Sequence, residues 1–175
     1  MTLLKVLLKL MMGSSSTSAL SNNTGVSSDL LKKLLPLAIP ILIKAMTKNA
    51  SSNDGALSLL NALGQHKSSK SMADQLLDVD TEDGGKIIGH ILGDNAGTEI
   101  AGLANQTGLS NDQVSSVLNN IAPSLLTGMS GVLENGLPED TEKKSLLARL
   151  FGKKEVVDTA LDGTNLLNAL MALQK

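Results

Sequence analysis

Residues 107–129 read TGLSNDQVSSVLNNIAPSLLTGM, and residues 24–46 read TGVSSDLLKKLLPLAIPILIKAM. Laid without a gap at an offset of 83 (107 minus 24), the segments agree at 8 of 23 positions, where ordinary residue usage gives roughly two. The identities are Thr24/Thr107, Gly25/Gly108, Ser27/Ser110, Asp29/Asp112, Leu35/Leu118, Pro40/Pro123, Leu42/Leu125 and Met46/Met129. Pairs such as Leu31/Val114 and Leu34/Val117 keep apolar character. A turn glycine, capping serines, core positions and a proline thus recur in one order, which marks one supersecondary unit used twice. If the duplication is structural, Leu42, Ile43, Ile121 and Leu125 face a common interior.

In the first copy Gly25 suits a turn with positive φ, and Ser27 or Ser28 can accept from the free N–H groups of a helix over residues 28–35. Pro36 and Pro40 lack an N–H and clash with the carbonyl four residues back, so a break is expected there, with a second helix to about Lys48. Upstream, Leu3, Leu4, Leu7, Leu8 and Met11 form one stripe of an amphipathic first helix, and Lys9 interrupts what would be a signal-peptide core. Residues 13–23, GSSSTSALSNN, form a connector in which Ser and Asn compete for backbone hydrogen bonds.

Downstream, Asp54 is the expected N-cap of a helix ending near Gly64, with Leu57, Leu60 and Leu63 inward and Leu59 beside them. Residues 65–71 are expected as loop and SMADQLLD as a short helical turn. Gly85, Gly89, Gly93, Gly97 and Ala101 are spaced by four, a ridge nearly free of side chains against which another helix could pack. Glycine costs about 1 kcal/mol within a helix, so a break near GDN is expected, with helices over 83–92 and 95–106. Residues 131–138 are expected as loop and 139–151 as a dipole-complemented helix. The tail DGTNLLNALMALQK, residues 162–175, echoes DGALSLLNAL at 54–63 and is expected as an amphipathic C-terminal helix.

At 175 residues the chain is near the size of one domain, and 42% of it is hydrophobic with Phe151 the sole aromatic. Such a core of Leu, Ile, Val, Ala and Met suits helices better than sheets. A net charge of −2 gives the chain as a whole no polyelectrolyte signature, and the absence of cysteine removes disulfides, thiolate metal sites and thiol nucleophiles. The longest apolar run, Leu34 to Ile43, holds two prolines between Lys33 and Lys44, too short for the ~20 residues of a transmembrane helix.

From residue 36 to residue 129 the succession PLAIPILIKAMTKNASSNDGALSLLNAL, DGGKIIGHILGD and TGLSNDQVSSVLNNIAPSLLTGM resembles the YidB-like bacterial family, bacterial domain of unknown function 937. The resemblance implies an all-α YidB-like fold and a bacterial source. It implies no reaction, since the family brings no catalytic residues to carry over.

The segment LANQTGLSNDQVSSVL has helix-turn-helix spacing, yet its second helix, Asn111 to Asn120, carries one Asp and no Lys or Arg, and the other copy offers only Lys32 and Lys33. An αα-hairpin is the expected use. Asp78, Asp80, Glu82 and Asp83 begin like an EF-hand, but Asp83 stands where glycine is needed and Gly89 where glutamate is. Charge at a helix N-terminus explains them. His66 and His90 are the only histidines, and His90, in an apolar run, is expected to be hydrogen-bonded and partly buried. No GxSxG elbow and no GK[ST] phosphate loop is present.

The sequence therefore predicts an all-α, multihelical single domain with two pseudo-equivalent helical hairpins. Residues 1–23 form an N-terminal helix and connector, 24–135 the duplicated YidB-like domain, and 136–175 C-terminal helices packed on it. The expected role is a cytoplasmic, non-catalytic protein-interaction or scaffolding module, through an unidentified protein partner or self-association. No catalytic, cofactor or metal residues are assigned and no cofactor is expected. The alternative is a nucleic-acid-binding regulator using the helix-turn-helix-like units; an enzyme with a polar pocket between the repeats is a third.

Overall fold

A computed structural model of the chain describes residues 3–135. Among them the chain forms eight α-helices, one 3-10 turn and no strand. The helices are α1 (Leu3–Met11), α2 (Ser14–Thr24), α3 (Ser28–Asn49), α4 (Asn53–Gln65), α5 (Met72–Leu77), α6 (Thr81–Leu92), α7 (Ala96–Thr107) and α8 (Asn111–Asn135), with the 3-10 turn at Gly93–Asn95. The break expected near GDN is this turn.

The duplication is structural, and the repeated unit is the hairpin α2–α3 matched by α7–α8. Gly25 and Gly108 close the first arms at φ 70° and 77°, a left-handed backbone that favours glycine, and their N–H groups donate to the Ser21 and Ala104 carbonyls at 2.9 Å. One residue earlier, Thr24 Oγ1 donates to the Leu20 carbonyl at 2.6 Å and Thr107 Oγ1 to that of Leu103 at 2.7 Å. Ser27 caps α3 by accepting from the Leu30 N–H. Ser110 accepts from Gln113 N–H while Gln113 Oε1 accepts from Ser110 N–H, a reciprocal cap at the start of α8. Inside the second arms Leu31, Leu34, Leu35 and Leu42, with their counterparts Val114, Val117, Leu118 and Leu125, are no more than 1% exposed. Ile121 is buried as well, and Ile43 is half-buried.

Residues 13–23 are not a connector, because α2 takes most of them. Its hydroxyls bond backward, Thr17 Oγ1 to the Gly13 and Ser14 carbonyls and Ser16 Oγ to Leu10, so they do not compete with the helix. Ala19 and Leu20 are buried, and Asn23 Nδ2 donates to the Leu76 carbonyl and to Asn120 Oδ1. Tertiary partners thus override weak local propensity.

The chain also does not break at the prolines, since α3 runs unbroken through Pro36 and Pro40. Both lie on its half-buried outer side, one turn apart. The carbonyls they deprive of donors, on Lys32 and Pro36, therefore lie on the side nearest water. Ser52, not Asp54, caps α4 by accepting from the Gly55 N–H. Asp54 stands in the first turn, where Ser51 and Ser52 have already closed the α3–α4 corner. The inward face of α4 is Ala56, Leu59, Leu60 and Leu63, with Leu57 half-buried.

Helix α8 runs to Asn135, through part of the loop expected at 131–138, and is the centre of the bundle, touching α1, α2, α4, α5, α6 and α7. The expected helices over 139–151 and 162–175, with the domain expected over 136–175, lie outside the described residues. Most of the glycine ridge is not a packing face: a Cβ at Gly85 would touch the Asn119 side chain, but ones at Gly89, Gly93 and Gly97 would meet open space. Gly84 makes the close approach instead, since a Cβ there would collide with the Asn119 carbonyl. That carbonyl is the one Pro123 leaves without its intrahelical donor.

Candidate functional site

The two hairpins are equivalent in sequence but not in what covers them. On α8, Asn120 bonds to Asn23 of α2, Ser130 Oγ donates to the Leu63 carbonyl of α4, and Asn119 lies under Gly84 of α6. Asn120, Ser124 and Ser130 are each 2% exposed and Leu126 1%. Their counterparts on α3 at the same offset are Leu37, Ile41, Thr47 and Ile43, and all four are only half-buried. At these positions the polar side chains are thus the fully covered ones, while the apolar ones pack against the core and keep part of their surface in solvent.

Exposed lysines accompany these positions along α3. Where α8 has Ser115, Ser116, Thr127 and Gly131, α3 has Lys32, Lys33, Lys44 and Lys48, all exposed. At 100° per residue Lys33 and Lys44 share the azimuth of the Pro36, Pro40, Leu37 and Ile41 surface, one at each end of it along the helix. Over residues 1–49 there are six lysines and one acid, Asp29, whereas over 50–135 there are three lysines and ten acids. The small net charge conceals a polar molecule.

A separate cleft of about 750 Å³ opens between the end of α3, α4 and α6. Its floor includes Met46, Leu59 and Ile87, and its walls carry Asn49, Ser58, Asn61, Gln65, Lys86 and His90. Asn49 Nδ2 donates to the last carbonyls of α6, His90 at 3.0 Å and Ile91 at 2.9 Å, which fixes the cleft's width. His66 lies at its edge, with Nδ1 2.7 Å from the Ala62 carbonyl and Nε2 2.8 Å from Asp83 Oδ2. Both ring nitrogens face acceptors, so neither is offered to the cleft as a base for a nucleophile. His90 lines the cleft but its residue is exposed, contrary to expectation; the half-buried, bonded imidazole is that of His66. The apolar run around His90 sends Ile87, Ile88 and Ile91 inward and leaves residue 90 outward.

The acidic stretch is dispersed by the helix start it serves. Asp80 caps α6 by accepting from the Glu82 and Asp83 N–H groups at 3.0 Å, Asp78 pairs with Lys70 at 3.0 Å and Glu82 with Lys86 at 3.1 Å. Among the described residues no three His, Asp or Glu side chains are placed to hold a metal ion. The second helix of the helix-turn-helix-like unit is α8, whose Val114, Val117, Leu118 and Ile121 are fully buried. Neither the His66–Asp83 contact, between groups 17 residues apart, nor the Asn49 clamp has a local spacing that announces it.

An all-α, multihelical bundle organised by a duplicated hairpin is the class this architecture defines. A family model described as "Bacterial protein of unknown function (DUF937)" matches residues 6–131 and again 97–173, and the chain belongs to that family. The two matches overlap across α7 and most of α8, which is the second hairpin. No curated protein and no solved structure matches. Among the described residues no helix is long and apolar enough to cross a membrane.

Proposed function

We propose that the chain is a non-catalytic helical interaction module, acting in the cytoplasm, that binds another polypeptide on the outward face of α3. The observation that carries this reading is the inversion between the hairpins. Leu37, Ile41 and Ile43 stand half-open where the matching α8 positions are sealed by neighbouring helices. Apolar side chains that keep part of their surface in solvent gain from being covered. The contacts of both His66 ring nitrogens with protein oxygens support binding over chemistry in the cleft, and the interior place of α8 gives little support to a nucleic-acid reader, which presents its second helix to a groove.

Affinity capture from the source bacterium, read by mass spectrometry, tests the reading when native chain is compared with the double variant Leu37→Glu, Ile41→Glu. Circular dichroism confirms that the variant is folded, and light scattering follows self-association. The expected outcome is a partner, or a second copy, retained by the native chain and lost from the variant. Equal retention by both, or strictly monomeric behaviour with no partner, counts against it.

A further inference from the structure

We infer that the cleft between α4 and α6 is a binding site for a small amphipathic carboxylate, an aliphatic body with one anionic head. The inference does not depend on the interaction reading above. The cleft is built to stay open. Asn49 ties the end of α3 to the last carbonyls of α6, and the His66–Asp83 contact ties the end of α4 to the start of α6, so two antiparallel helices are held at both ends. Between the ties α4 lines the gap with Ser58 and Ala62, whose side chains are too short to fill it. Beneath lie Met46, Leu59 and Ile87, 2%, 8% and 8% exposed, with about 750 Å³ above them. Interiors are otherwise close-packed, so this floor meets water where it would gain from carbon atoms. The volume falls within the roughly 300–1,000 Å³ of small-molecule sites, and an aliphatic body supplies the missing contacts.

The charges select the head. At the α3 end of the cleft the Lys48 carbonyl accepts from the Ser51 N–H and Oγ, the Asn49 carbonyl from the Ser52 N–H and Oγ, and Asn49 Nδ2 covers the His90 and Ile91 carbonyls. These acceptors are engaged, whereas the Lys48 ammonium at the same end makes no ion pair among the described residues. Of the other charged residues lining the cleft, Lys86 is held by Glu82 and Asp83 by His66. One unmatched cation suits one carboxylate better than a doubly charged phosphate. From Asp83 to His90 is seven residues of α6 (90 minus 83), about 10 Å at 1.5 Å per residue, so the body that fits is an aliphatic chain of medium length. A sugar would leave Met46, Leu59 and Ile87 without apolar cover.

The test titrates octanoate, and octanol as its uncharged counterpart, into the full-length chain carrying ¹³C-labelled methionine methyls, and follows the Met46 resonance. A saturable shift at Met46 is expected with octanoate, and binding of octanol should be about threefold weaker or more. Lys48→Glu should weaken octanoate by at least that factor, while Lys9→Glu, the same change of net charge on α1, should leave it unaltered. Ala62→Phe fills the gap and should abolish the shift, with circular dichroism confirming the fold; Ser58→Trp, on the exposed wall, serves the same end if Ala62→Phe does not fold. No saturable shift at Met46, or one that survives both filling variants, overturns the site. Equal affinity for octanol and octanoate, or equal loss in Lys48→Glu and Lys9→Glu, overturns the anionic head. Capture of a polypeptide through Leu37 and Ile41 is read separately, so either result leaves the other intact.

Discussion

At the scale of single residues the glycines separate into those the fold demands and those it tolerates. Gly84 has no room for a methyl group, so Gly84→Ala should cost about 1–3 kcal/mol through forced separation of α6 from α8. Gly89, on the same helix with open space around it, should behave oppositely, Gly89→Ala raising stability by roughly 0.5–1 kcal/mol. Urea unfolding of both variants checks the pair, and equal effects would refute the crossing. Gly25 and Gly108 were legible from sequence because a turn between two caps requires positive φ, which has a recognisable neighbourhood. Gly84 was not legible, since its constraint comes from a carbonyl on a helix 35 residues further along (119 minus 84). Of the glycines spaced by four, Gly85 does stand against Asn119, while Gly89, Gly93 and Gly97 lie in open space. For the same reason the His66–Asp83 contact and the Asn49 clamp had no signature in the chain.

At the scale of elements, the prolines of α3 and α8 share a position but not an environment. Replacing Pro40 by alanine restores an N–H opposite the Pro36 carbonyl on the half-buried side of α3, so Pro40→Ala should stabilise the chain, by up to about 3 kcal/mol. Pro123→Ala restores a donor to a carbonyl on which α6 is already seated, and its gain should be smaller. Thermal melts of the two variants measure the difference, and a larger gain at residue 123 would contradict the packing described for Gly84. Helix ends were readable in part, because Ser27 and Ser110 cap as their side-chain chemistry dictates, whereas at α4 the expected Asp54 gave way to Ser52. Helix continuity was less so. Backbone rules alone forbid α3 to pass two prolines and discourage α2 from forming, and only burial of Leu31, Leu34, Ala38 and Leu42 on one side and of Ala19 and Leu20 on the other offsets those costs.

At the scale of the molecule, stability is concentrated in α8. Leu125 is fully buried at its middle, and Leu125→Ala should lower stability by about 2–5 kcal/mol. Because six helices lean on α8, the loss should appear as one earlier transition and not as local fraying. Hydrogen exchange resolved by helix checks this, for unfolding of α8 with α1 and α3 left protected would break the picture. The all-α class and the duplication were fully available in the sequence, carried by aliphatic spacing and by the repeated turn and cap. The unequal covering of the hairpins was not, since it depends on where α2, α4 and α6 pack against α8.

That central helix is also the latest of the described elements to be made. During translation α1 to α7 leave the ribosome before the segment that joins six of them, and core residues of α2, α4 and α6 such as Leu20, Leu63 and Ile88 wait without their final cover until residue 135 has cleared the exit tunnel. Nascent chains stalled before that point expose the core side chains of an entire bundle at once and are the natural clients of a holding chaperone, whereas chains stalled well after it are already closed.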